Sequence, residues 1–311
     1  MRMSNTKLDS EAFLERTLKK MDDCDYETAL KDINVGIELD PNDAGLIYGR
    51  GRIKICLEDY EGALEDLSSA IKIDSDEPDY FFYRGLANEF LTNYKSALRD
   101  YKSAINLDSS EASYFYGRAL LYLSWGFKDC ENAIEDLNKA INLNYKVGEY
   151  FYWRGRAKNK LKNYFDAILD FELAIKLEPQ NPKLYNALGY TKSFIGDHEA
   201  SIKFLNKAIK LDESSFYYFF NRGITYSLLK RDEDAIKDFT SAITLNPELS
   251  KTYFYYRGEA YSRLGNFDNA KRDFRRALSL DPYYHCARES ISKIHQTKYE
   301  EEYKKEYKNV I

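Results

Sequence analysis

A pattern recurs along the chain. In its fullest form it is an aromatic residue, two further residues, Ala-Ile or Ala-Leu, and then Asp one residue later. Its small residue falls at Ala29, Ala63, Ala97, Ala133, Ala167, Ser201, Ala235 and Ala270, with spacings of 34, 34, 36, 34, 34, 34 and 35 residues. Eight copies of one unit constrain the fold more than any bulk property. A chain of 311 residues would otherwise be expected to split into two globular domains, because single cores stop growing near that size. A repeat array avoids that limit, since each unit packs only on its neighbours.

The stretch 78-PDYFFYRGLANEFLTNYKSALRDYKSAINLDS-109 represents one repeat. Phe81, Gly85 and Asn88 recur at helical spacing, and so do Tyr94, Ala97, Leu98, Tyr101, Ala104 and Ile105. Two antiparallel helices joined by a short turn are therefore expected. Pro78 suits a helix start, while Pro41, Pro179, Pro247 and Pro282 follow second helices and help to end them. A small column in the first helix (Gly51, Gly85, Ala119, Gly155, Gly189, Gly223, Gly258) argues for close approach of helix backbones. A large column in the second (Ile33, Leu67, Tyr101, Leu137, Phe171, Leu205, Phe239, Phe274) fills the space between helices.

With these offsets the chain resembles the tetratricopeptide repeat (TPR) family, whose unit is a 34-residue helix-turn-helix. The resemblance covers roughly residues 10–283. It implies an all-α fold, a right-handed superhelical solenoid of antiparallel helix pairs with first helices lining a concave groove. On this reading residues 1–9 are a tail, eight repeats start near 10, 44, 78, 112, 148, 182, 216 and 251, and 284–311 form a C-terminal capping helix. Tyr299, Tyr303 and Tyr307 recur at i, i+4 there, beside the opposite-charge pairs Glu300/Lys304 and Glu301/Lys305. The extra residues of the longer repeats fall in 124-SWGFKDC-130 and near 247-PELSK-251, between helices.

Two columns depart from the family. Arg16, Arg50, Arg84, Arg118, Arg154, Arg222 and Arg257 stand where it usually has leucine. Asp32, Asp66, Asp100, Asp136, Asp170, Asp238 and Asp273 stand where it usually has a large apolar residue. Repeat six lacks both, with Leu188 and Phe204. Arginine and aspartate are present together or absent together, as an ion pair within one repeat requires; pairing with the preceding repeat would strand Asp170 and Arg222. The rival reading, a ladder of arginines awaiting phosphate or carboxylate groups, is disfavoured because an adjacent aspartate neutralises each one.

The resemblance implies that Leu14, Tyr48, Phe82, Tyr116, Tyr152, Asn186, Phe220 and Tyr255 face the groove, followed one turn on by Leu18, Arg52, Leu86, Leu120, Arg156, Tyr190, Ile224 and Glu259. The rings could receive apolar side chains, or they could pack on the neighbouring first helix. A peptide or helix of another protein would then be held by the ring column and oriented by Arg52, Arg156, Asn186 and Asn221. The lysine-asparagine clamp of TPR domains that hold chaperone C-termini does not occur in three consecutive repeats. Self-association is the alternative, and RNA binding the weaker one.

Composition narrows the rest. A net charge of −5 and a pI near 5.5 argue against a general nucleic-acid binder. Neither a secretory signal in 1-MRMSNTKLDS-10 nor a membrane span is read, so a cytoplasmic protein is expected. Cys24, Cys56, Cys130 and Cys286 have no metal or redox spacing, and His198, His285 and His295 do not cluster with ligands. No metal, cofactor or catalytic activity is expected.

Overall fold

The computed structural model describes residues 13, 15–17, 19–124, 128–246 and 251–307, with side chains through 296. Residues 1–12, Leu14, Leu18, the inserted stretch 125–127, residues 247–250 and 308–311, and the side chains of the tyrosines and charge pairs after residue 298 lie outside that description. The described residues between 13 and 22 are helical and form α1. Then follow α2 (Tyr26–Leu39), α3 (Ala44–Cys56), α4 (Tyr60–Ile73), α5 (Pro78–Phe90), α6 (Tyr94–Leu107), α7 (Ala112–Leu123), α8 (Cys130–Leu143) and α9 (Gly148–Lys160). After these come α10 (Tyr164–Leu177), α11 (Pro182–Phe194), α12 (His198–Leu211), α13 (Phe216–Leu228), α14 (Asp232–Leu245), α15 (Lys251–Arg263), α16 (Phe267–Leu280) and α17 (His285–Tyr307). The chain divides into two compact units, residues 1–161 and 162–311.

Within each unit the dominant contacts join a first helix to the second helix that follows, as in α3 with α4, α5 with α6, α11 with α12 and α13 with α14. Each second helix packs next on the first helix of the following repeat, and first helices touch one another more lightly. That arrangement buries the alanine columns completely, for example Ala63, Ala97, Ala235 and Ala270, together with the large residues Leu67, Tyr101, Phe239 and Phe274. At the C-terminal end, Ala287 and Ile294 of α17 are buried against Phe274 and Ala277 of α16.

Local chemistry sets the turns. Asp25, Asp59, Asp129, Asp197 and Asn266 precede second helices, and each side chain accepts a backbone N–H of the first turn, which satisfies a donor the helix leaves orphaned. Just before each cap the backbone passes through the left-handed region, at Cys24, Glu58, Thr92, Lys128, Lys162, Gly196, Lys230 and Gly265. Only two of these eight are glycine, so the turn is imposed by the packing of the helices it joins rather than by its own residue type. In the second repeat the reversal is held by Asp59 N–H donating to the Lys54 carbonyl at 2.9 Å and Glu58 N–H donating to that of Ile55 at 3.1 Å. Among the described residues no helix is long and apolar enough to cross a membrane.

Candidate functional site

The arginine column lies where first and second helices meet. Arg50 Nε donates to Asp66 Oδ2 at 2.8 Å and Nη2 to Oδ1 at 2.6 Å, two parallel bonds. Arg84 meets Asp100 at 3.1 and 2.7 Å, and Arg118 meets Asp136 at 2.7 and 2.8 Å. Arg222 meets Asp238 at 2.7 and 2.7 Å, and Arg257 meets Asp273 at 2.7 and 2.8 Å. Planar forks on carboxylates are the strong form of charge-assisted bond. The aspartates are nearly enclosed: the side chain of Asp136 is 4 % exposed and that of Asp238 6 %. Burial pushes the Asp238 carboxyl above its ordinary value against the pull of Arg222. Burial would likewise lower Arg222, but its bonds to Asp238 outweigh that and hold it above the ordinary arginine value.

Two partners of these arginines escape the column reading. The free nitrogen Nη1 reaches back to the preceding second helix: Arg50 donates to Asn34 (3.2 Å), Arg154 to Asn138 (2.7 Å), Arg222 to Asn206 (2.6 Å) and Arg257 to Thr240 (3.1 Å). One guanidinium thus ties together its own helix, the next helix and the previous one. In the third repeat Ser68 occupies the asparagine's register, and a polar cavity of about 430 Å³ lies between Ser68, Arg84 and Asp100. The guanidinium also sits over the ring three residues before it: Phe81, Phe115, Phe151, Phe219 and Phe254 lie 5.4 to 5.9 Å from their arginines. The signal in the sequence is Phe-x-x-Arg, repeated. Where Leu188 replaces arginine, Tyr185 holds the ring position, and Lys207 of α12 lies over it at 5.8 Å.

The groove column is half-buried at every described position, and four of its rings pack onto the next first helix. Tyr48 lies 4.9 Å from Tyr80, Phe82 5.2 Å from Tyr114, Tyr116 5.0 Å from Tyr150, and Phe220 4.4 Å from Tyr253. Tyr255 lies 5.4 Å from Tyr284, and Tyr152 is edge-on to Trp153 of its own helix. Some hydroxyls are committed as well. Asp79 accepts from Tyr48 at 3.2 Å and from Tyr114 at 2.6 Å, linking α3, α5 and α7. Asn221 Nδ2 donates to Asn186 Oδ1 at 2.8 Å. Arg52 is half-buried over Tyr48 and Tyr83, with its Nε enclosed and lacking a hydrogen-bond partner. Arg156 is exposed and lies 4.8 Å from the Trp153 ring.

Two larger cavities open among the first helices, one in each unit. In residues 1–161 a cavity of about 870 Å³ is lined by Glu89, Leu120, Leu123, Trp153, Arg156 and Lys160, among others. In residues 162–311 one of about 610 Å³ lies between α11, α13 and α15, walled by Tyr190, Phe194, Phe220, Ile224, Leu228 and Tyr256 with Asn221 at its polar edge. Of the groove residues read from the sequence, Leu120 and Arg156 line the first cavity and Tyr190, Phe220, Asn221 and Ile224 line the second. Tyr48, Arg52, Phe82, Tyr116, Tyr152, Asn186 and Tyr255 line neither.

Glu89 gives the first cavity a measurable property. Burial raises its carboxyl above the ordinary range, against the lowering effect of the Tyr101 hydroxyl, which donates to Oε2 at 2.8 Å. A carboxyl raised in the folded state makes ionisation costly there. That cost is absent below the unfolded value of about 4.3 and grows as pH rises past it. Glu89→Gln keeps an acceptor for Tyr101 and removes the charge. Its denaturation midpoint is therefore expected above wild type at pH 7, with the gap closing toward pH 4. An equal midpoint at both values would show that Glu89 is solvated like any surface acid.

Stacked antiparallel helix pairs with a 34-residue period, exposing apolar cavities among their first helices, define a helical-repeat binding architecture. Models of the tetratricopeptide repeat match residues 148–181, 182–215, 216–249 and 252–284. The chain is a tetratricopeptide-repeat protein, and the seventeen helices among its described residues are in keeping with a repeated helix pair. It is 30% identical over 80 residues, 26% of its length, to tetratricopeptide repeat protein 6 of Homo sapiens. The chain spans less than a fifth of the length of the curated relatives it matches. A tetratricopeptide repeat protein from Parabacteroides merdae superposes with a TM-score of 0.64 at 19% identity, covering 80% of this chain and 97% of that one. The Cut9-Hcn1 hetero-tetramer of the APC/C superposes at 0.65 with 15% identity, covering 86% and 52%.

Proposed function

We propose that the protein is a non-catalytic interaction scaffold that holds a peptide or helix of a partner protein against its first helices, organised as eight repeats over residues 10–283 with α17 as the cap. The carrying observation is the cavity between α11, α13 and α15. Its walls leave Tyr190 44%, Phe194 54% and Leu228 55% exposed. Apolar concavities edged by a few polar groups suit side-chain anchors, and Asn221 stands at the edge of this one. That one structural neighbour, Cut9-Hcn1, is itself a hetero-tetramer supports a role built on protein partners.

The test is affinity capture from the source organism's lysate with wild type and with Tyr190→Ala, Leu228→Ala, Tyr256→Ala, the variant being checked by circular dichroism for an unchanged helix signal. Truncating exposed anchors is expected to weaken a groove-bound partner by about tenfold or more. A partner retained equally by both proteins would remove the groove from the proposal. A complex whose recovery falls steeply with salt and disappears on ribonuclease treatment would replace the peptide by RNA.

A further inference from the structure

The second helix α10 is unlike its counterparts. On its outer face Phe165 is 74% exposed, Leu169 58% and Leu173 40%, at i, i+4 and i+8. Opposite them Ala167, Ile168, Phe171 and Ala174 are buried. A helix apolar on both faces is normally enclosed on both, and no described element of residues 162–311 covers this one. The repeat register shows how unusual the stripe is. At the site of Phe165 the other seven second helices carry a charged residue, such as Glu61, Glu131, Glu199 or Glu233. At the site of Leu169 all seven again carry one, such as Lys31, Glu65, Arg99 or Lys203. The fold therefore accepts charge at both sites, and packing within the array does not account for the phenylalanine and leucine.

The geometry points to this face as a second docking surface, separate from the groove, for an amphipathic helix of a partner protein whose apolar stripe carries acidic residues beyond both ends. The charges around the stripe select that occupant. Lys176 follows Leu173 by three residues on the same side of the helix, and Lys162 stands in the turn two residues before α10 begins, so an exposed lysine lies near each end. Asp166 and Glu172, also exposed, flank the centre. A second copy of this chain laid antiparallel on the stripe would set Lys162 against Lys176 at each end. A helix with acids at its ends and a base near its middle answers every charge.

The probe is a display library of helix-forming peptides with Leu or Phe fixed at i, i+4 and i+8 and random residues elsewhere, selected on the full chain. The control is Phe165→Glu, Leu169→Lys, which installs the residue types other repeats carry at those sites, with its fold checked by circular dichroism. Peptides bound by wild type and weakened at least about tenfold by the control should be enriched in Asp and Glu beyond the ends of the stripe. With Lys162→Glu, Lys176→Glu the enrichment should turn to Lys and Arg. Binding that survives the groove variant Tyr190→Ala, Tyr256→Ala separates this surface from the groove reading, and either can fail alone. Three results would each overturn the inference: no stripe-dependent peptides, stripe-dependent peptides without terminal acids, or a dimer in sedimentation of wild type that the control abolishes.

Discussion

Arg222→Ala is expected to cost about 3 to 5 kcal/mol of stability, because it leaves Asp238 buried without its partner. The Asp238 side chain is 6% exposed and accepts both bonds of the Arg222 fork. Burial already raises its carboxyl with the guanidinium in place, so removing the guanidinium strands an anion in a site that opposes charge. The double replacement Arg222→Leu, Asp238→Phe is expected to lie within about 1 to 2 kcal/mol of wild type, since exchanging a buried ion pair for apolar side chains is often near neutral. The residual cost is the lost bond to Asn206. Repeat six supplies the template: Leu188 there is 1% exposed, with Phe204 in the aspartate's column. Urea midpoints of the three proteins decide the matter. A double variant as unstable as the single one would mean that the bridge itself holds the repeat.

The second large effect lies one residue further on. A methyl group at Gly223 would stand 2.7 Å from Cε1 and 2.9 Å from Cδ1 of Phe239. That ring is fully buried, with Phe220 at 5.8 Å and Tyr256 at 6.1 Å on its other sides. In an open helix Gly→Ala gains about 1 kcal/mol, whereas crowding a filled core typically costs about 1 to 3 kcal/mol. The two terms oppose each other, and the ring cannot swing clear. Gly223→Ala is therefore expected to lower stability by about 1 to 2 kcal/mol. A raised midpoint would mean that the rings yield and that propensity wins.

These residues also show where sequence reading stops. The helix pairs were legible because small and large columns repeat at a fixed period, and the arginine and aspartate columns could be written out from the residues alone. The third partner of Arg50, Arg154, Arg222 and Arg257 could not, because it belongs to the previous repeat, and its register varies from Asn34 to Ser68 to Lys102 to Thr240. The turns were hidden for a related reason: Thr92 and Lys230 adopt a backbone that glycine would have signalled. Spacing placed Tyr48 and Phe82 on one face, but not the packing of each against Tyr80 and Tyr114 on the following first helix. The stripe on α10 was open to the same column reading, since Phe165 and Leu169 show as apolar letters where every other repeat has charge.

The backward reach of the arginines has a mechanical side. A stack of repeats behaves as a row of springs joined at nearest-neighbour seams, and the bond from Arg222 to Asn206, like that from Arg257 to Thr240, stiffens the seam it crosses. Between α10 and α11 that strut is missing, because Leu188 has nothing to donate and Glu172 stands in the asparagine's register. Among the seams from α10 to α15, compliance therefore concentrates at α10/α11. Tension along this part of the chain would stretch that seam before its neighbours, beside the helix that carries the exposed stripe.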